Sequence, residues 1–408
     1  MFRRFPQHPD RQAIHDEAHA RPPLSIKRDW GEVWHWALSN GVDEASWPSA
    51  IDPTQRHQLI KFDNGVLRFE RHTEFFALTW AGTQAPDAEL SALISACPGE
   101  QLAGARVIFD PQDEKQQSLF GYARVFGGTI VFDGVRLATD FQLDGNGLVT
   151  YLVSGGFEDD FARGRIVKRL LDIETYRMAA LLALPVVQKN INDLERLEHR
   201  SATAALELPS DNDAALTDDA ALKQSVSQLS SVLAELGELS ERVRFRLAAS
   251  QAYYDLVEDR LDSLKEQPVG QRQTLKGFID HRLAPGIKTV TAFERRLTAL
   301  STQVANALAL ARTRLEMMIE IQNQALLQSM EERARQQVHL SQAVEGLSTA
   351  AITYYAIGLL TYVLKALPDS ALATDSAIVA MAIPVVALLV WWRTRKITRR
   401  IVRKAAQK

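Results

Sequence analysis

Two long apolar runs near the C-terminus constrain this chain most strongly. Between Glu345 and Lys365 lie 19 residues without an acidic, basic or histidine side chain, GLSTAAITYYAIGLLTYVL. Between Asp375 and Arg393 lie 17 more, SAIVAMAIPVVALLVWW. A membrane helix needs about 20 largely apolar residues at 1.5 Å each, so both runs approach the required length. We therefore predict a transmembrane hairpin of two helices, 346–364 and 376–392. A pair of buried core helices is the alternative.

The sequences that flank these runs orient the hairpin. Trp391 and Trp392 end the second run, where an interfacial aromatic belt is expected. The tail 393–408 then carries eight Lys or Arg and no acid. The positive-inside rule places such a tail in the cytoplasm, and two spans would return the chain to that side. We expect a bacterial inner-membrane protein with both termini cytoplasmic, whose tail contacts anionic lipid rather than nucleic acid.

The rest of the composition agrees with a cytoplasmic location. Formal net charge is −3, which excludes a strongly basic nucleic-acid-binding protein. The N-terminal MFRRFPQHPD has no apolar run behind its basic residues, so it does not resemble a secretory signal. Cys97 is the one cysteine, which excludes an intrachain disulfide framework and predicts a small buried hydrophobe rather than a reactive thiol.

Residues 1–157 are expected to form a cytoplasmic α+β domain. Segments rich in β-branched and aromatic residues predict strands, among them VLRFERHTEFFALTW, GARVIFD and LVTYLVSG, separated by turn signals such as DNG and DGNG. Helices are predicted from Asp52, where Asp-Pro suits a helix start, and over roughly 87–96. The strands follow one another closely, as in an antiparallel meander.

Residues 158–345 are expected to form a helical stalk or coiled coil, with helices at about 158–199, 218–265 and 287–345. Apolar residues from Leu222 to Leu264 alternate spacings of four and three, which is a heptad pattern. From Leu297 to Met330 the spacing is three, four, four, which favours a nearly straight bundle that leads into the first span. LAPG at 283–286 is expected to interrupt the helix.

Two clusters of polar residues suggest metal-binding chemistry, and each has a structural alternative that we favour. His15 and His19 lie four apart in AIHDEAHARPP, but a zinc-protease helix needs His-Glu-x-x-His and Asp16 stands in place of that Glu. Glu70, His72 and Glu74 alternate on one strand face, where a salt-bridged surface is the alternative to a metal or proton site. We predict no metal, no cofactor and no enzymatic activity.

Several segments resemble a bacterial family designated domain of unknown function 3422. They are HPDRQAIHDEAHARPP, FERHTEF, RLLDIETYRMAALLALP, RLAASQAYYDLVEDRLDSL, LAPGIKTV, QNQALLQSMEERAR and VEGLSTAAITYYAIGLLTYVLKAL. The resemblance implies a membrane-anchored protein and brings no established reaction. His15 falls where that family usually has Asn, which argues further against zinc. Asp16, Glu17, His19 and Arg21 are instead expected to form a polar network or to contact a partner subunit.

The predicted architecture also resembles CorA-type divalent-cation transporters, which are homopentamers whose first span lines the pore. Their Gly-Met-Asn signature is missing here, because LKALPDS follows the first run. Hydroxyl groups at mid-membrane depth face a partner helix or water rather than lipid, so the polar face of the first run is the candidate pore lining. It comprises Ser348, Tyr354, Tyr355, Gly358, Thr361 and Tyr362. Asp369 and Asp375 would attract cations at the outer loop.

These observations lead to two functional hypotheses. The first is a homo-oligomeric, CorA-like cation channel or transporter, a pentamer if it follows that assembly, with a large cytoplasmic regulatory domain. The alternative is a membrane-anchored scaffold or signalling protein whose cytoplasmic domain recruits partners.

Overall fold

The computed structural model describes residues 8–12, 14–15, 23–40, 47–131, 134–157, 159–206, 219–365, 380, 383–393 and 396. The chain divides into two compact units. The first comprises residues 1–209 and 223–309, and the second comprises residues 210–222 and 310–408.

The first unit contains a nine-stranded mixed sheet with the order β2-β3-β4-β1-β5-β8-β7-β6-β9. Strands β5 and β8 are parallel, and the other neighbouring pairs are antiparallel. The strands are β1 (Glu32–Ser39), β2 (His57–Phe62), β3 (Gly65–Arg71), β4 (Phe75–Gly82), β5 (Gln101–Asp110), β6 (Thr129–Ile130), β7 (Val135–Ala138), β8 (Val149–Ser154) and β9 (Glu266–Gln267).

Seven helices of five or more consecutive described residues accompany the sheet. They are α1 (Ala88–Ser95), α2 (Gln116–Phe120), α3 (Asp160–Leu181), α4 (Ala183–Leu206), α5 (Asp219–Leu264), α6 (Leu275–Lys365) and α7 (Ile383–Arg393). Asp87 and Asp159 cap α1 and α3, because each carboxylate accepts a hydrogen bond from a backbone N–H of the first turn. The predicted helix near 87–96 is thereby confirmed.

Strand β4 shows how the sheet is buried on both faces, since all eight of its residues are buried. Phe76, Leu78 and Trp80 point to the face that α1 covers and pack with Leu90. Side chains of alternate strand residues point to opposite faces, so Thr79 and Ala81 lie toward α3. A sheet covered on both faces explains why its central strand is almost continuously apolar.

Helices α4, α5 and α6 pack together in the first unit. Arg200 of α4 pairs with Glu235 of α5 at 2.6 Å, and Arg296 of α6 pairs with Glu198 of α4 at 2.7 Å. Buried leucines and valines recur at helical spacing along all three helices. The apolar seam of α5 is therefore covered by helices of the same chain, and the predicted coiled coil is not supported.

The predicted layout of a cytoplasmic α+β domain followed by a transmembrane hairpin is wrong. Among the described residues, α6 is the one helix long and apolar enough to cross a membrane. The second predicted span is represented by α7, whose 11 residues cover about 16 Å, roughly half of a bilayer core. The sheet is mixed rather than an antiparallel meander, and β9 comes from the stretch assigned to the stalk.

Two local predictions also fail. No helix starts at Asp52, because its carboxylate closes a turn on the backbone N–H of Thr54 at 3.0 Å and the chain then enters β2. The LAPG segment does not interrupt the third helix, since α6 begins at Leu275 and runs through Pro285. Proline removes one backbone donor there, and the flanking turns keep helical geometry.

Candidate functional site

The C-terminal part of α6 exposes large apolar side chains that a soluble helix would bury. From Leu347 to Val363, eight large hydrophobic residues are exposed: Leu347, Ile352, Tyr354, Tyr355, Leu359, Leu360, Tyr362 and Val363. No charged side chain interrupts the 19 residues between Glu345 and Lys365. At 1.5 Å per residue this segment is about 28 Å long, which matches the hydrocarbon thickness of a bilayer. We call residues 346–364 the apolar segment.

The threonine hydroxyls of the apolar segment are satisfied by the helix itself. The hydroxyls of Thr349, Thr353 and Thr361 donate to the carbonyl oxygens four residues earlier, at 2.7–2.8 Å. Such back-bonding removes hydroxyl donors that would otherwise need water or a partner. These three hydroxyls are therefore compatible with a surrounding that offers no hydrogen bonds.

A cleft of about 1380 Å³ lies in the second unit between the apolar segment and α7. Four of the predicted pore residues line it: Tyr354, Tyr355, Gly358 and Tyr362. Tyr354 and Tyr355 are exposed, and their rings pack edge to face with centroids 5.7 Å apart. Ser348 and Thr361 are not among the lining residues of the cleft. The structure thus brings together the aromatic part of the predicted polar face.

Several other predicted residues lie outside the described part of the chain. They are Asp16, Glu17, His19 and Arg21 of the N-terminal motif and Asp369 and Asp375 of the expected outer loop. Most of the basic tail is also outside it, so the predicted lipid contact stays a prediction. The expected cytoplasmic location of both termini is likewise untested and stays a prediction.

The strand-face candidates Glu70, His72 and Glu74 have separate structural partners. Glu70 is buried and accepts from Arg68 at 2.6 Å. The ring of His72 stacks on Phe75 with centroids 4.3 Å apart. Glu74 accepts two hydrogen bonds from Arg246 of α5, at 2.8 and 2.9 Å. These partners favour the salt-bridged alternative, and no metal-binding group of His, Cys, Asp and Glu occurs within the described ranges.

A buried polar network around His35 escaped the sequence reasoning. His35 lies on β1, and its Nδ1 and Nε2 are 2.8 and 3.0 Å from the hydroxyls of Thr79 and Thr175. Burial, with Lys168 and Arg68 nearby, lowers the pKa of His35 to about 3. The imidazole is therefore neutral at physiological pH, and each threonine hydroxyl can donate to it or accept from it.

The His35 network has little room for a ligand. The adjoining cavity measures about 30 Å³, and it is lined by residues of the sheet and of α3. That volume suits about one water molecule rather than a substrate. No sequence signal marked the network, because its members are brought together only when α3 packs on the sheet. We interpret it as a structural network that specifies how α3 packs on the sheet.

Comparison with known proteins identifies one family. A sequence profile described as "Protein of unknown function (DUF3422)" matches residues 6–401, which is nearly the whole chain. No curated protein matches the chain. The resemblance to CorA-type transporters gains no support from these comparisons.

Proposed function

We propose that this chain, which belongs to the DUF3422 family of proteins of unknown function, is a membrane-anchored protein held by the apolar segment of α6. The observation that carries the proposal is the uncharged stretch of 19 residues, with large apolar side chains exposed, at the end of a helix whose earlier part buries one face. Exposed apolar surface of this extent marks a partner or a membrane. A length of about 28 Å favours the membrane.

The contrast within α6 strengthens this proposal. Residues Leu297, Leu300, Val304 and Leu308 are buried in the first unit. Residues 319–345 are exposed and carry frequent Glu, Arg, Gln and His, as expected for a surface in water. Most residues of the apolar segment are also exposed, and the segment has none of these charges. One continuous helix therefore presents three successive surfaces, which suit a protein core, water and lipid in turn.

Paired leucines in α6 provide a matched test. Leu359→Arg with Leu360→Arg places two charges in the apolar segment. Leu326→Arg with Leu327→Arg places the same charges in the water-suited stretch, where both leucines are also exposed. Each Leu→Arg change at the centre of a membrane helix costs about 3 kcal/mol, or about 6 kcal/mol for the pair. We expect the first variant, and not the second, to leave membranes on alkaline carbonate extraction.

Equal extraction of both variants would contradict the anchor. Circular dichroism of each purified variant would show that the helices are retained, so that loss of folding is separated from loss of insertion.

A second candidate function is ion conduction by a homo-oligomer of this chain. It is supported by the cleft in which Tyr354, Tyr355 and Tyr362 expose hydroxyl-bearing rings beside the apolar segment. Cation flux into vesicles should fall when these tyrosines are replaced by Phe, and Tyr122→Phe, on an exposed loop of the first unit, is the control. A monomeric mass by light scattering in detergent would exclude this candidate, since the apolar segment of a single chain cannot enclose a pore.

A further inference from the structure

A cavity of about 420 Å³ in the first unit combines guanidinium groups with aromatic rings. It lies between α3, the start of α6 and the segment that joins α2 to β8. Its lining includes three arginines, Arg124, Arg177 and Arg282, and one carboxylate, Asp140. We call it the arginine pocket. Its volume falls in the range of small-molecule sites, whereas the cavity at His35 is far too small.

Three phenylalanines form the aromatic wall of the arginine pocket. Phe278 stacks on Phe141 with centroids 4.4 Å apart, and it packs against Phe126 at 4.1 Å. Each ring also carries one arginine. Arg124 lies 5.4 Å from the Phe126 ring, Arg177 lies 5.4 Å from Phe141, and Arg282 lies 5.6 Å from Phe278. The rings thereby hold the three guanidinium groups around one cavity.

Arg177 is fixed at the base of the pocket by a buried network. Its Nε and Nη2 donate to the two carboxylate oxygens of Glu174, at 2.8 and 2.6 Å. The Tyr151 hydroxyl donates to the same carboxylate at 2.9 Å. Glu174 is 1 % exposed, so the ion pair is held within the core. The bidentate pair fixes the orientation of the Arg177 guanidinium, which lines the pocket.

Arg124 and Arg282 differ from Arg177 because no carboxylate of the described residues pairs with them. Both side chains are exposed, and their guanidinium groups lie over the rings of Phe126 and Phe278 respectively. The one acidic residue of the lining, Asp140, accepts the backbone N–H of Gln142 at 3.0 Å. The pocket therefore presents more guanidinium donors than the protein itself satisfies.

The backbone at the pocket is held in an unusual conformation. Phe141 has φ of 56°, in the left-handed region that non-glycine residues seldom adopt. Its N–H donates at 3.2 Å to the hydroxyl of Thr139, which is completely buried. Such a conformation is energetically unfavourable and is kept where the surrounding structure requires it. Here it places the Phe141 ring between Phe278 and Arg177.

We infer that the arginine pocket binds a small phosphate-bearing molecule. Guanidinium groups match phosphate oxygens with paired N–H donors, and a doubly charged phosphate balances several arginines better than a single carboxylate does. A cavity of about 420 Å³ accommodates a phosphorylated small molecule. The phosphate could be carried by a soluble metabolite or by a lipid headgroup. This inference is independent of the membrane anchor.

The first experiment is calorimetric titration of the full-length protein in detergent with inorganic pyrophosphate. We expect saturable binding. Arg124→Gln and Arg282→Gln should each weaken it about tenfold or more, since a hydrogen bond to a charged group contributes about 1.5–3 kcal/mol. Arg244 is an exposed arginine of α5 and does not line the pocket, so Arg244→Gln should leave pyrophosphate binding unchanged. Asp140→Asn keeps the acceptor for Gln142 and removes the negative charge, so it should tighten binding.

The opposite signs expected at Arg282 and Asp140 separate a binding role from a structural one, because damage to the fold would weaken binding in both variants. Absence of saturable pyrophosphate binding, or weaker binding in both variants, would overturn the inference. A second titration with dihexanoyl phosphatidic acid identifies the source of the phosphate. Tighter binding than pyrophosphate indicates a lipid headgroup, and weaker binding indicates a soluble molecule, and either result supports the site.

Discussion

Lowering the pH should destabilise the first unit through His35. Its imidazole is buried and neutral, and burial lowers its pKa from the ordinary 6.5 to about 3 on folding. Between these values the unfolded chain binds a proton that the folded chain does not. The stabilising contribution is therefore complete above about pH 6.5 and is lost as the pH falls toward 3.

The size of this effect follows from the pKa shift. At pH 5, about 1.5 units below the pKa of the unfolded chain, protonation stabilises the unfolded state by about 2 kcal/mol. Carboxylates also titrate in acid, so the useful quantity is a difference between two proteins. His35→Gln keeps a polar side chain near Thr79 and Thr175 and removes the titration.

The assay is denaturant unfolding of both proteins in detergent, at pH 7.5 and pH 5. We expect His35→Gln to be less stable than the original protein at pH 7.5, because its fit to the two threonines is poorer. The gap should narrow by about 2 kcal/mol at pH 5. An equal gap at the two pH values would show that His35 does not stay neutral in the folded protein, and the argument would fail.

Two further predictions concern packing and reactivity. Gly164→Ala in α3 should destabilise the protein, because the added Cβ would overlap the carbonyl oxygen of Leu24. A Cβ added at Gly237 in α5 has no atom within 4 Å, so Gly237→Ala should stabilise the protein by up to about 1 kcal/mol. Thermal unfolding of the two variants measures the difference, and equal effects would contradict this packing. Cys97 should react with a thiol reagent only after denaturation, because burial raises its pKa to about 12, and rapid reaction in the native protein would contradict this.

Local sequence signals predicted those parts of the fold that are determined by residues close to one another in the chain. Strands β3, β4, β5 and β8 coincide with segments rich in β-branched and aromatic residues, and the Asp87 cap marks the start of α1. Asp52 misled the prediction, since an Asp-Pro pair suits both a helix start and a turn. The outcome depended on β2 pairing with β3, which no local signal encodes.

Contacts between distant segments could not be predicted from one sequence. Strand β9 pairs with β6 although about 136 residues separate them, and its two residues carry no strand signal. The arginine pocket combines residues near 124, 141, 177 and 282, and only the packing of α3 and α6 brings them together. The apolar segment, in contrast, could be predicted, because its composition and length alone indicate a helix that avoids water.

Water accessibility along α6 tests the membrane anchor most directly. In a Cys97→Ser background, single cysteines are placed between Gln322 and Val344 and between Leu347 and Val363, where most side chains are exposed in the structure. Intact membranes are then treated with a water-soluble maleimide. Our account predicts labelling in the first stretch and protection in the second, which labels after detergent is added. Equal labelling of both stretches in membranes would contradict the anchor.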